Sequence, residues 1–148
     1  MALSDRALVA AFVAVYIAVD IAYVTASRGT YEAAVRAISG SGFPALSGTR
    51  AVGAIAAYAA MAFVWVAFVP LAARAWAPAF GGRMALSGAA AGAALGCAIY
   101  VVFNGTLHAM FAEWSAGVAV RDTLWGVSWL AVLSAAYGAA AGSRRGRA

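Results

Sequence analysis

Apolar positions along this chain fall into four long runs separated by short polar breaks, at residues 7–27, 51–73, 84–111 and 123–142. Each run is about as long as the ~20 apolar residues that an α-helix needs to cross a ~30 Å hydrocarbon layer. The pattern predicts an all-α integral membrane four-helix bundle in one domain, with a short basic tail at 143–148. Between the first two runs, Tyr31, Ala34, Val35 and Ile38 recur at helical spacing while Glu32 and Arg36 lie four apart on another face. That spacing predicts a short amphipathic helix at the membrane surface, ended by the "SGSGFP" stretch. Pro78, Gly81 and Gly82 predict a tight second connection, and the third, around residues 113–122, is also short, so sequence neighbours should be antiparallel.

Composition agrees with the pattern. Of 148 residues, 66% are hydrophobic and 10% charged, and the mean hydropathy is +0.88, far from an ordinary water-soluble domain. The net charge of +5 does not indicate nucleic acid, because the arginines sit at the ends of the runs, where they meet lipid head groups. Six arginines (6, 74, 83, 144, 145 and 147) fall on the side of both termini and four (28, 36, 50 and 121) on the other. This split predicts both termini in the cytoplasm, in a cytoplasmic (inner) membrane. Arg6, the first run and Val24-x-Ala26 imitate a secretory signal, but Asp20 and Tyr23 lie too near such a cut, so the run reads as a retained span. A single cysteine, Cys97, excludes an internal disulfide and an all-cysteine metal site, and reads as a small packing residue.

Small residues mark helix contacts. Gly88, Gly92 and Gly96 lie four apart in the third run, Gly138 and Gly142 in the fourth, and Gly126 near the start of the fourth. Such tracks let helix backbones approach closely, here within the bundle in preference to a homo-oligomer. The five tryptophans lie mostly toward the ends of the runs, as an aromatic belt would place them.

Polar residues inside the runs carry the candidate chemistry. A carboxylate inside a span is penalised by roughly 2.5–3.5 kcal/mol on insertion scales, so Asp20 must face protein or water. Tyr16, Tyr23 and Ser27 share its helix face, and Cys97, Tyr100, Asn104 and His108 form a second stripe on the third run. With Asp122 and Trp125 at the start of the fourth, these residues predict a polar cleft lined by Asp20, Tyr23, Tyr100, Asn104, His108, Asp122 and Trp125. Asp20 and Asn104 come out level in the bilayer and are expected to bond to each other. Two readings of Asp20 stand side by side: a proton, cation or ligand site, and a polar tie between helices. His108 reads as an interfacial histidine, since a metal site would supply several ligands. No metal site, cofactor motif, phosphate loop or complete catalytic constellation is present in the sequence, and the reading is non-enzymatic. The expected partners are the lipid bilayer and, as alternatives, a small solute, ion or proton in the cleft, another membrane protein, or a second copy of the chain.

The motifs Val19-Asp20-Ile21-Ala22-Tyr23-Val24, Tyr100-Val101-Val102-Phe103-Asn104 and Asp122-Thr123-Leu124-Trp125-Gly126 resemble those of the mainly bacterial family called domain of unknown function 2177. Its members carry Leu-Asp-x-x-Trp-Leu, Tyr-Asp-Leu-Thr-Asn and Asp-x-x-Trp-Gly in the corresponding spans. Tyr23, Val101 and Phe103 depart from that pattern, and Val101 removes a carboxylate that would have neighboured Asn104. The resemblance implies a short four-span membrane protein and no particular activity.

Overall fold

The computed structural model describes residues 3–145, which are helical apart from short connections. Six α-helices follow in order: α1 (Leu3–Ala26), α2 (Arg28–Ser39), α3 (Thr49–Trp76), α4 (Met84–Gly96), α5 (Val102–Met110) and α6 (Ala116–Arg145). A 3-10 turn at Ala77–Phe80 follows α3, and a π-helical turn at Cys97–Val101 joins α4 to α5 into one rod. Four segments are long and apolar enough to cross a membrane: Arg6–Ala26, Thr49–Phe80, Met84–Met110 and Ala116–Arg144. Arg147, part of the charge count above, lies outside the described residues.

The helices close into a ring in which α1 packs on α3 and α6, α3 on α4, and α4 on α6. The α4–α6 contact is the most extensive, because glycines remove the side chains that would hold the backbones apart. A Cβ on Gly96 would sit 2.7 Å from the Val127 Cα, one on Gly92 would strike Leu130 and Ser134, and one on Gly88 the Ser134 carbonyl. Gly138 meets the Met84 backbone from the other side, and Gly126 lies under the Tyr100 ring. The small-residue track is thus used inside the bundle.

Two expectations change here. Trp65 is not in an interfacial belt: it is fully buried, stacks with Phe12, and its indole N–H donates to Ser134 Oγ at 3.1 Å. Phe12 and Tyr137 pack around its ring in the core, and the serine satisfies its one donor. Cys97 is exposed and not a packing residue, because the π turn that begins there is wider than an α turn and breaks the face it was expected to share.

The connecting segment forms a helix, α2. Tyr31 and Ala34 are its buried residues, while Glu32 pairs with Arg28 at 3.4 Å and Arg36 at 3.0 Å on its more exposed side. Gly40, left-handed at φ 73°, returns its N–H to the Arg36 carbonyl and ends the helix. At α6, Ser115 Oγ accepts the Val118 N–H at 3.3 Å, so the helix starts at Ala116 and Asp122 lies well inside it.

Replacing Gly92 by Leu is expected to destabilise the bundle by several-fold more than Ala94→Leu, because Gly92 is buried against α6 while Ala94 is exposed. Overpacking costs of about 1–3 kcal/mol or more set the scale. Reversible unfolding in lipid or mild detergent measures the difference, and equal losses would contradict the assigned contact.

Candidate functional site

At the end of the bundle opposite the termini, two carboxylates are buried and each is held by side-chain donors. Asp20 on α1 is 5% exposed. Its two oxygens accept from the hydroxyl of Tyr100 in the π turn at 2.9 Å and that of Tyr58 on α3 at 3.1 Å. Asp122 on α6 is 7% exposed and accepts from the Asn104 amide at 2.7 Å and from the Tyr31 hydroxyl. Burial, and then the bond to Asp122, push the Tyr31 phenol above its ordinary range, so it remains a neutral donor.

Asn104 is the best satisfied group of the set. Its amide also donates to the Tyr100 carbonyl at 3.1 Å, and its carbonyl accepts the Trp114 indole N–H at 3.2 Å. Tyr100 therefore links the two carboxylates: its hydroxyl serves Asp20 while its carbonyl holds the side chain that serves Asp122. The expected bond between Asp20 and Asn104 is absent. Asn104 sits on α5, which packs on α6 and not on α1, so the nearer acid takes its donor.

The other expected cleft residues are placed differently. Tyr23 stacks on Trp125 at 4.1 Å between ring centroids and its hydroxyl lies 3.3 Å from that of Tyr31, to whose oxygen it can donate, at the edge of the network. Trp125 stacks further on Trp129, and neither indole N–H has a partner among the described residues. His108 is exposed, and its Nδ1–H donates to the Trp114 carbonyl at 2.6 Å, steadying the connection after α5. It lies in the last turn of α5, outward of the buried cluster, and does not join it. No group of His, Cys, Asp and Glu among the described residues could hold a metal ion.

Beside the carboxylates lies a cavity of about 590 Å³. It occupies the space between the first half of α3 and α5, which make no extensive contact, and α1 and α2 complete its wall. Asp20 and Asp122 both reach it, as do Tyr31, Tyr58, Tyr100 and Trp114, while the remaining lining is almost wholly aliphatic or phenylalanine. The cleft is a largely apolar cavity with a few polar groups among its lining residues. Tyr58, Tyr31 and Trp114 are site residues that the spacing of acids and amides did not reveal. Tyr58 carries the single hydroxyl between residues 51 and 70, which was the available signal for it.

If these bonds hold the site together, a double-mutant cycle of Asn104→Ala and Asp122→Asn should show coupling of about 0.6 kcal/mol or more, the usual scale for interhelical bonds in membranes. Asp20→Asn with Asn104→Ala should be closer to additive. Unfolding in bicelles distinguishes the pairs, and the reverse order of couplings would contradict the assignment.

A sequence model of the family described as "predicted membrane protein (DUF2177)" matches residues 6–140. Comparisons with curated proteins and with solved structures find no match. With four membrane-crossing segments and a match over nearly its whole length, the chain belongs to the domain of unknown function 2177 family of membrane proteins.

Proposed function

We propose that this membrane protein binds a small, mostly apolar solute in the chamber between α1, α2, α3 and α5. The observation that carries the reading is the chamber itself. Close-packed interiors leave few voids larger than a water molecule, yet this small bundle leaves a half-open cavity of about 590 Å³, within the roughly 300–1,000 Å³ of small-molecule sites. Largely apolar walls with a few convergent polar groups are the usual chemistry of such sites. Binding is favoured over passage. Toward the termini the bundle is filled by Trp65, Val69, Leu95, Leu130 and Tyr137, all buried.

A role as an accessory subunit has less support. The exposed apolar side chains of α3, among them Val52, Ile55, Phe63 and Leu71, are what lipid contact alone requires. In this reading α2 lies at the membrane boundary, with its Tyr31 face over the chamber and its Glu32 and Arg36 face in water. The arginine split supports a boundary on the non-cytoplasmic side.

Native mass spectrometry from nanodiscs of host lipid tests the proposal. The protein should carry a bound small molecule that Ala54→Phe, which fills the chamber wall, releases without altering helical content. A bound mass that survives Ala54→Phe, or bulk phospholipid as the bound species, would contradict it.

A further inference from the structure

We propose that the solute is a protonated organic amine with an apolar body. This rests on the chamber being a binding site, and it follows from counting which hydrogen-bonding capacity remains free there. Every side-chain donor that lines the chamber is already committed. Tyr58 and Tyr100 donate to Asp20, Tyr31 to Asp122, and the Trp114 indole to Asn104. The one Ser39 hydroxyl proton is taken by the Val35 or Ser41 carbonyl, at 2.8 and 2.7 Å from its oxygen. The indoles of Trp125 and Trp129, which lack acceptors, lie elsewhere.

Acceptors remain. A carboxylate offers about four lone-pair positions, and Asp20 and Asp122 each receive two bonds from the protein. No arginine lines the chamber: Arg121, next to Asp122 in sequence, turns to Ser27 and Thr30. A ligand that brings only acceptors, such as a carboxylate, a fully ionised phosphate or a quinone, would find no free side-chain donor and would meet two acids. A ligand that brings N–H donors and positive charge meets complementary groups.

The walls fit the rest of such a molecule. Its apolar body would lie against Met61, Ile99 and Leu107, and the aromatic residues Phe43, Phe103 and Trp114 also line the cavity, a residue type that suits a cationic head. Charge-assisted bonds to a carboxylate are about twice as strong as neutral ones, so charge should dominate selectivity among molecules of one shape.

Three probes of matched shape separate the possibilities: 2-phenylethylamine, 2-phenylethanol and phenylacetate, titrated calorimetrically at neutral pH into protein in nanodiscs, with empty nanodiscs subtracted. The amine should bind at least about tenfold tighter than the alcohol, and phenylacetate should not bind. Asp20→Asn and Asp122→Asn should each weaken the amine about tenfold and the alcohol, which brings one neutral donor, by less. Should those variants fail to fold, Tyr58→Phe keeps the carboxylate and frees a lone pair on it, so it should bind the amine at least as tightly as the wild type. Alcohol or acid binding as tightly as the amine would overturn the assignment of charge while leaving the chamber a binding site. Binding of none of the three would sink both. Loss of amine binding in a folded Tyr58→Phe protein would also count against the amine, because it would make the phenol, and not the acid, the contact.

Discussion

The close approach of α4 to α6 is the contact on which the other features rest. Association between helices in lipid lacks the hydrophobic driving force available in water and depends on packing and interhelical bonds. Gly88, Gly92 and Gly96 bring the α4 backbone against Leu130, Ser134 and Val127. Continuing along the same rod, the Tyr100 ring lies over Gly126, one turn of α6 beyond Asp122. The glycines thereby fix the register in which Asn104 reaches the acid at 2.7 Å. A side chain at Gly126 would displace the tyrosine that joins both halves of the network.

The second constraint is that the bilayer interior supplies no water to satisfy a polar group. Asp20 and Asp122 are accommodated because phenols and an amide surround them: α1 and α6 contribute the acids, α2, α3 and the π turn the three hydroxyls, and α5 the amide. The same arrangement leaves a chamber. Tyr58 and Tyr31 reach inward from α3 and α2 at the length of a phenol, so their helices stand off from α5, and the gap between them is lined by apolar side chains. A polar tie and a binding site are thus compatible roles for the same carboxylates, since each acid lines the chamber and receives two bonds from the protein, fewer than it can accept.

The four spans, the α2 helix and the inward placement of Asp20, Tyr100, Asn104 and Asp122 were legible in the sequence, because long apolar runs and isolated polar groups within them admit few structural answers. The partners of those groups were not. Whether Asn104 meets Asp20 or Asp122 depends on which helices are neighbours at that depth, and the two acids look equally available along the chain. The stripe through Cys97 and His108 assumed one continuous α-helix. The π turn at Cys97–Val101 alters that phase, and His108 lies too near the end of α5 to reach the interior. Tyr58, Trp65 and Trp114 were hidden for another reason: each has one polar atom on a large apolar body, which an apolar run absorbs without interruption, and only the fold shows that Asp20, Ser134 and Asn104 meet those atoms.

The central claim is that the two acids are held apart by distinct donors, Asp122 by Asn104 and Asp20 by Tyr58 and Tyr100. Solid-state NMR of the protein in lipid bilayers, with ¹⁵N in the asparagine side chain and ¹³C in the aspartate carboxyls, measures this directly, since Asn104 is the single asparagine in the chain. The account predicts a strong dipolar contact from the Asn104 amide nitrogen to the Asp122 carboxyl and none of comparable strength to Asp20. A dominant contact to Asp20, with Asp122 exchanging freely with water, would contradict it.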